Sequence, residues 1–196
     1  MRLQVFNYGA GNLYSIRVAL EKEGARTSLT RTGEGMEDAD GLVLPGVGSF
    51  DQAAGSLPME RVQDVLRSGK PVLGVCLGLQ LFYSSSEEGK EKGLSLLRGK
   101  VRRFPPSVKV PQIGWNTLAV RGGELTEGIR DGSWVYYVNS FVPEASGSSV
   151  EATTVYGIEF PALVSKRNVF GAQFHPEKSG QVGRTVLQNF IRAVKR

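Results

Sequence analysis

The first half of the chain alternates short apolar runs with segments of helical periodicity. Apolar runs of this kind are typical of buried strands in a parallel sheet. Together with one alternating, threonine-containing segment, they predict strands at residues 3–7, 26–32, 41–44 and 71–76. Apolar residues at helical spacing predict helices at residues 12–23, 50–68 and 77 to about 84. Pro58 interrupts the second helix. This order of strands and helices indicates an α/β layer around a parallel sheet.

The second half of the chain is strand-like until its last segment. Alternating and β-branched residues, separated by glycine-containing turns, predict strands at residues 101–104, 115–120, 134–142, 150–156 and 162–174. Residues 182–194 then place their apolar side chains on one helical face. We therefore expect a terminal amphipathic helix that covers the sheet.

Composition narrows the class of protein. The 196 residues include one Cys and one His, and the formal net charge is +5. A single cysteine cannot close an intrachain disulfide, so we expect a cytoplasmic protein. One cysteine and one histidine are too few ligands for a zinc site, so we expect no metal. The positive charges are scattered, which argues against a nucleic-acid partner. The apolar runs are too short to span a membrane, and no linker divides residues 1–196, which predicts a single domain.

The sharpest motif is G-V-C-L-G at residues 74–78, between a predicted strand and a predicted helix. It is the thiol counterpart of the G-x-S-x-G nucleophile elbow, in which glycines relieve crowding on both sides of the nucleophile. A helix N-terminus beside Cys76 would lower the pKa of the thiol and offer N–H groups to an oxyanion. The alternative is that Cys76 is a small apolar core residue. The flanking glycines favour the catalytic interpretation.

The only histidine supplies the base that such a thiol needs. His175 lies at the end of a predicted strand, and Glu177 follows two positions later. Residues two apart in an extended segment point the same way, so Glu177 can orient the imidazole and stabilise its charged form. The alternative is a surface histidine at a strand end. With Cys76, these two residues make a Cys-His-Glu triad the leading hypothesis.

Two glycine-containing loops also follow predicted strands. The loop at 45–50 has glycines on both sides of Val47, where backbone N–H groups can approach an oxyanion. It lacks the lysine of a phosphate loop, and the alternative is an ordinary strand-to-helix turn. The loop that begins at Tyr8 reaches the first helix at Asn12, either as a helix cap or as a contact for a ligand or partner. Both loops are expected at the same sheet edge as Cys76.

These motifs resemble those of the class I (triad) glutamine amidotransferases. The shared segments are P-G-V-G at 45–48, G-V-C-L-G-L-Q at 74–80 and H-P-E at 175–177. Other segments resemble, more narrowly, the glutaminase subunits of imidazole glycerol phosphate synthases: Y-G-A-G-N-L at 8–13, P-Q-I-G-W-N at 111–116 and F-H-P-E-K-S at 174–179. Two positions depart from that pattern, because Gln112 and Asn139 stand where histidine is common.

The resemblance implies both a fold and an activity. The fold would be the flavodoxin-like class I amidotransferase fold: a central, mostly parallel sheet with helices on both faces and an antiparallel C-terminal extension. The chain would hydrolyse glutamine to glutamate and ammonia without a cofactor. The ammonia would pass to a TIM-barrel cyclase subunit in a heterodimer, which forms imidazole glycerol phosphate and an aminoimidazole carboxamide ribonucleotide in histidine biosynthesis.

The resemblance also implies roles for individual residues. Cys76 would be the nucleophile, with His175 and Glu177 completing the triad, and backbone N–H groups of Val47 and Leu77 would hold the oxyanion. The expected glutamine contacts are Gly46, Gly48, Gln80, Glu88, Ser140 and Phe141. The expected contacts with the partner subunit are Tyr8, Asn12, Trp115, Tyr136 and Lys178.

Three other functions remain open at the level of sequence. The first is the glutaminase subunit of a different synthase, such as one making pyridoxal phosphate or aminobenzoate. The others are a stand-alone cysteine hydrolase on the same fold and a regulatory binder that has kept the fold without the reaction. The intact Cys76, His175 and Glu177 argue against the regulatory binder, and glutamine hydrolysis with candidate synthase partners would separate the others.

Overall fold

The computed structural model describes residues 1–9, 13–46, 48–144 and 147–196. In the first half, strands and helices alternate as the apolar pattern predicts. They are β1 (Arg2–Phe6), α1 (Leu13–Lys22), β2 (Arg26–Thr30), β3 (Gly41–Leu44), α2 (Phe50–Ser56), α3 (Met59–Arg67), β4 (Val72–Val75) and α4 (Leu77–Gln80). Pro58 separates α2 from α3, which confirms the predicted interruption.

The second half consists of strands followed by one long helix. The strands are β5 (Val101–Arg103), β6 (Gln112–Thr117), β7 (Ala119–Val120), β8 (Trp134–Asn139), β9 (Phe141–Pro143), β10 (Val150–Tyr156), β11 (Ile158–Lys166) and β12 (Val169–Ala172). A 3₁₀ turn at Pro176–Lys178 leads into α5 (Gly180–Val194). None of the described helices is long and apolar enough to cross a membrane.

Eight strands form one sheet in the order β2-β1-β3-β4-β12-β11-β10-β7. The pairs from β2 to β12 are parallel, and the pairs from β12 to β7 are antiparallel. Strands β5 and β9 form one small sheet, and β6 and β8 form another. The predicted mostly parallel sheet with an antiparallel extension is therefore confirmed. Its parallel register places the end of β12 beside the end of β4, with Ala172 opposite Val75.

Helices cover both faces of this sheet because its central strands are apolar on both sides. On β3, Val43 joins a core cluster that contains side chains of α1 and α5, including Leu20 and Phe190. Its neighbours Leu42 and Leu44 join a second cluster, which contains side chains of α3. Successive side chains of a strand point to opposite faces, so a continuous apolar run has to be covered twice.

The helix predicted at residues 77 to about 84 is shorter in the structure. It ends at Gln80, because the next carbonyl groups bond to a distant segment instead of to N–H groups one turn later. The carbonyl of Leu81 accepts from the N–H of Leu94 at 2.7 Å, and that of Phe82 accepts from Leu96 at 2.8 Å. Nothing in the local periodicity signals this competition.

Three predicted strands are each two strands in the structure. The prediction at 115–120 divides into β6 and β7, and the one at 134–142 divides into β8 and β9, which belong to different sheets. The prediction at 162–174 divides at Arg167, whose φ of 57° turns the chain back as a hairpin. Alternation persists through such breaks, so periodicity alone does not locate them.

Candidate active site

Cys76 lies on a sharp turn between β4 and α4. Its φ of 53° is in the left-handed region, which a residue with a side chain rarely adopts. The turn fits only because its neighbours are glycines. A Cβ on Gly74 would lie 2.6 Å from the carbonyl oxygen of Gly78, and one on Gly46 would lie 2.5 Å from the backbone nitrogen of Leu77. The structure thus has the strained strand-to-helix geometry of a nucleophile elbow.

The helix behind the elbow contributes less than the sequence predicts. Because α4 has only four residues, it aligns few peptide dipoles toward Cys76. Leu77 is its first residue, so its N–H has no acceptor one turn earlier and is available to a substrate. The N–H of Cys76 itself donates to the carbonyl of Ala172 at 2.7 Å. Stabilisation of a thiolate therefore depends on the side chains that surround the sulfur.

The side chains of His175 and Glu177 meet, but Glu177 lies in the 3₁₀ turn at Pro176–Lys178 and not in the extended segment that the sequence predicts. Their side chains are almost completely buried, and His175 Nδ1 lies 2.9 Å from Glu177 Oε1. The N–H of His175 donates to the carbonyl of Tyr136 at 3.0 Å, which fixes the backbone between β12 and the 3₁₀ turn. With Nδ1 committed to Glu177, the other ring nitrogen is left for Cys76, which lines the same cavity.

The neighbours of His175 favour its charged form. Burial lowers the pKa of the imidazole, but hydrogen bonds and charge attraction from Cys76 and Glu177 outweigh it and raise the pKa to about 10. With this pKa the imidazole carries its positive charge at neutral pH. The surroundings of the ring therefore favour a charged His175.

A cavity of about 350 Å³ opens over the thiol. It is lined by Cys76, Leu77 and His175 together with nine other residues, five of which the sequence predicts as glutamine contacts. The predicted ones are Gly46, Gly48, Gln80, Ser140 and Phe141, and the additional lining residues are Pro111, Val138, Asn139 and Lys178. Its size suits a small amino-acid substrate. Among the described residues, no three His, Cys, Asp or Glu side chains are grouped as metal ligands would be.

One predicted glutamine contact, Glu88, is not in this lining. The Glu88 carboxylate accepts the N–H of Phe50 at 2.8 Å, at the start of α2, and so reaches the loop that carries Gly48 from outside. Val47 and Asn12 lie outside the described residues, and their predicted roles stay predictions. Gln80 lies at the base of the cavity, where its Nε2 donates to the carbonyl of Phe141 at 3.0 Å.

Three predicted partner contacts form one cluster at the rim of the cavity. Trp115 and Tyr136 pack edge to face with ring centroids 5.8 Å apart, and Lys178 Nζ lies 6.0 Å from the centre of the Tyr136 ring. Trp115 is 52% exposed although it is a large aromatic residue. Tyr8, by contrast, packs edge-on against Phe6 at 4.8 Å, and burial raises the pKa of its hydroxyl.

The sequence analysis did not identify the rest of this exposed surface. In the register of β6 and β8, Trp115 pairs with Tyr136, Ile113 with Val138, and Thr117 with Trp134. The outward apolar residues of this pair, Ile113, Trp115, Trp134, Tyr136 and Val138, are called the β6–β8 face here. Alternation within the two strands is the signal that would have revealed it.

Buried amides beside the cavity were also missed as site residues. Gln173, fully buried, points its Nε2 at Cys76 Sγ from 3.6 Å. No local sequence signal identifies it, because its place beside Cys76 comes from the pairing of β12 with β4. Gln112 and Asn139, the two departures from the family pattern, are paired across β6 and β8. Each buries a side-chain oxygen that has no hydrogen-bond partner among the described residues.

The comparisons with known proteins agree with this geometry. The family model described as "Glutamine amidotransferase class-I" matches residues 4–194. The chain belongs to this family. The amidotransferase is 47% identical over 198 residues to the imidazole glycerol phosphate synthase subunit HisH of Archaeoglobus fulgidus, with 99% of this chain and 100% of that protein covered. It is 42% identical over 199 residues to the HisH subunit of Bacillus cytotoxicus, with 98% and 95% covered. These relatives narrow the family to the HisH subunits.

Solved structures support the fold of this amidotransferase. PurLQS from Thermotoga maritima superposes with a TM-score of 0.79 at 23% identity, covering 98% of both chains. A crystal structure described as a glutamine amidotransferase superposes with a TM-score of 0.78 at 19% identity, covering 99% of both chains. At such identities the likeness establishes the class I amidotransferase fold and not the choice of partner.

Proposed function

We propose that this chain is the glutaminase subunit of an imidazole glycerol phosphate synthase. It hydrolyses glutamine to glutamate and ammonia, and the ammonia passes to a cyclase subunit that forms imidazole glycerol phosphate and an aminoimidazole carboxamide ribonucleotide in histidine biosynthesis. The observation that carries the proposal is the Cys76 elbow facing the buried His175–Glu177 pair. The HisH relatives, similar over nearly the whole chain, supply the choice of synthase.

The first half of the reaction releases ammonia. The thiol proton of Cys76 moves to His175, and the sulfur attacks the side-chain carboxamide carbon of glutamine to form a tetrahedral oxyanion. Backbone N–H groups of Leu77 and Val47 stabilise that oxyanion. When the intermediate collapses, the carbon–nitrogen bond breaks and His175 returns its proton to the departing nitrogen. A glutamyl thioester on Cys76 and one molecule of ammonia result.

The second half of the reaction regenerates the enzyme. A water molecule gives a proton to His175 as its oxygen attacks the thioester carbon. The carbon–sulfur bond then breaks, glutamate leaves, and the proton on His175 returns to the sulfur. Glu177 keeps the imidazole in one orientation and stabilises its charged form throughout, as the carboxylate of a triad does. No cofactor enters either half.

The residues around the cavity are proposed to hold the amino-acid end of glutamine. Gly46 and Gly48 allow the backbone to approach the substrate closely, since neither carries a Cβ. Ser140 and Phe141 present backbone groups from the break between β8 and β9, and Gln80 fixes that break through the Phe141 carbonyl. Glu88 acts from outside the cavity by holding the start of α2.

The β6–β8 face is proposed to dock the TIM-barrel cyclase subunit in a heterodimer. Val138 belongs to this face and also lines the catalytic cavity, as does the neighbouring Lys178. A partner seated there would cover large exposed aromatic residues, which single chains seldom leave in contiguous patches. It would also lie next to the point where ammonia is released. Tyr8 and Asn12 are proposed to extend this contact.

The chain is proposed to be cytoplasmic, because its only cysteine, Cys76, is a free thiol.

Glutamate formation by the chain alone and with a purified cyclase subunit and its nucleotide substrate tests the proposal. We expect glutamine-dependent synthesis in the complex. Cys76→Ala should reduce it about 10³-fold or more, since the nucleophile is lost. The variant complex should still form product from ammonium salt, and light scattering should show that it assembles. Turnover of esters or peptides without glutamine, or productive assembly with a different synthase only, would contradict the proposal.

A further inference from the structure

Gln173 is a buried polar residue that the triad mechanism does not use. It follows β12 directly, as Cys76 follows β4, and the pairing of Ala172 with Val75 sets the two residues side by side. The backbone N–H of Gln173 donates to the carbonyl of Ala162 at 2.9 Å, which fixes its position against β11. Its side chain is completely buried and lies 3.6 Å from Cys76 Sγ through Nε2.

The direction of the Gln173 amide follows from its neighbours. The Phe141 carbonyl can only accept, so Gln80 must turn its NH₂ group toward that oxygen, 3.0 Å away. The same NH₂ group lies 3.2 Å from Gln173 Oε1, which therefore accepts from it. With its oxygen occupied, Gln173 presents its own NH₂ group to the sulfur. The chain of complementary donors and acceptors leaves no equivalent flipped arrangement.

The surroundings of the sulfur make this donor matter. The carbonyl of Val138 lies 3.9 Å from Sγ and can accept from a thiol, but it repels a thiolate. The four residues of α4 provide only a small dipole, as described above. Among the described residues, the side chains that can donate to a thiolate are therefore the charged ring of His175 and the neutral amide of Gln173. Hydrogen bonds to charged groups in a buried site are stronger than those between neutral groups.

We propose that Gln173 stabilises the thiolate of Cys76 and fixes the direction of its sulfur, with Gln80 holding the Gln173 amide in place. This role rests on the proposed function, because glutamine hydrolysis is the reaction that needs the thiolate. The Gln173 amide is a neutral donor. It stabilises the thiolate by a hydrogen bond and takes no part in proton transfer between Cys76 and His175. Through Phe141, it also connects the sulfur to the proposed glutamine-binding backbone.

The single cysteine of the chain allows a direct test without glutamine or a partner. Iodoacetamide alkylates thiolates, and mass spectrometry then reports Cys76 alone as pH is varied. Gln173→Met removes the donor at similar size, and we expect the pH of half-maximal reactivity to rise by about one unit, which is a tenfold decrease in the acid dissociation constant of the thiol. Gln173→Glu keeps the acceptor for Gln80 but places negative charge at the sulfur, so a larger rise is expected.

Thr154→Val is the matched control. Thr154 lies in β10 of the large sheet, and its buried hydroxyl bonds to Tyr137 and to the carbonyl of Thr117 and not to the sulfur. The alkylation profile of this variant should be that of the wild type. An unchanged profile in both folded Gln173 variants, or an equal shift in Thr154→Val, would overturn the role of Gln173. If the profile shifts while the wild-type chain fails to hydrolyse glutamine in any complex, the proposed function falls and the thiolate contact stands.

Discussion

The chemistry of this chain depends on how few reactive residues it has. There is one cysteine and one histidine, and the fold brings both to one cavity together with Glu177. A lone cysteine after a buried strand is ordinary core material in most proteins. The left-handed backbone of Cys76 lowers the stability of the fold, and a residue with only a structural role would gain nothing from it. The backbone geometry, more than the residue type, distinguishes the two interpretations.

The charge state of His175 can be measured without ambiguity, because the chain has a single imidazole. We expect an NMR titration to give a pKa above the ordinary 6.5 and near 10. Glu177→Gln and Cys76→Ala should each lower that pKa, since each removes a group that favours the charged ring and leaves burial, which opposes it. Glutamine hydrolysis should fall as pH rises through the His175 pKa, because a neutral ring has no proton for the departing ammonia.

Each outcome of the titration bears on a separate contact. A wild-type pKa below 6.5 would mean that burial dominates and that the thiol keeps its proton. A value unchanged by Glu177→Gln would remove Glu177 as the group that stabilises the ring, despite its distance of 2.9 Å. Tyr156→Phe is the control. It removes a hydroxyl that donates to the Lys109 carbonyl and not to a triad residue, so the titration of His175 should be unchanged.

At the scale of elements, the elbow depends on a close approach between neighbouring segments. Gly78 in α4 packs against β3, where an added Cβ would overlap the carbonyl oxygen of Leu44. We expect Gly78→Ala to destabilise the fold by about 1–3 kcal/mol or more, as overpacking does, and to abolish glutamine hydrolysis. Denaturant unfolding and a glutaminase assay measure the two effects.

Gly55→Ala is the matched control for this substitution. Gly55 lies in α2, and a Cβ there would meet nothing within 4 Å. Alanine is the better helix former by up to about 1 kcal/mol, so this variant should be as stable as the wild type or more so. Equal stability of the two variants would show that the elbow relaxes around a methyl group, and the steric account of its glycines would then be wrong.

Much of the fold could be predicted from periodicity, but not the places where distant segments compete. The central strands and the break at Pro58 follow from local patterns. The early end of α4 at Gln80 does not, since it depends on N–H donors from residues 94 and 96. The change of sheet between β8 and β9 is likewise invisible in an alternating sequence.

Some residues of the candidate site could likewise be predicted from local sequence signals, and others could not. Cys76, His175 and Glu177 could be singled out from the sequence, because the flanking glycines and the i, i+2 spacing leave a local signal, although Glu177 lies in a 3₁₀ turn and not in an extended segment. Gln173 could not be assigned a role, since its importance comes from the register of β12 on β4 and from Gln80, 93 residues away. The β6–β8 face could not be predicted, because its residues form one surface only when β6 and β8 are paired.

At the scale of the whole molecule, the catalytic cavity and the proposed docking surface are continuous. Lys178 contacts the Tyr136 ring on one side and lines the cavity on the other. The 3₁₀ turn that carries Lys178 also carries Glu177, so a partner that moves this turn acts directly on the triad. Free ammonia released without a partner would be wasted. A coupling between docking and hydrolysis would therefore prevent the loss of ammonia when no partner is bound.

The loop between Gly46 and Gly48 is the second place where a partner can act. Gly48 has a φ of 115°, which only glycine adopts readily, so the peptide beside it can rotate at little steric cost. An oxyanion donor on such a peptide can be turned away in the isolated chain and set in place by a liganded partner. We expect the chain alone to be a poor glutaminase, with kcat rising about 10²-fold or more in the complex with nucleotide.

Gly48→Ala tests this coupling, because a methyl group disfavours the left-handed backbone and so restricts the rotation. We expect it to lower the stimulated kcat by a larger factor than the basal kcat, both measured as glutamate formation. Gly69→Ala is the control: its φ of 80° carries the same strain, but the residue lies after α3 and its Cβ would meet nothing within 4 Å. If Gly48→Ala lowered both rates equally, or Gly69→Ala had the same effect, strain alone would account for the loss. Equal rates with and without the liganded partner, in a complex shown by light scattering to be assembled, would rule out the switch itself.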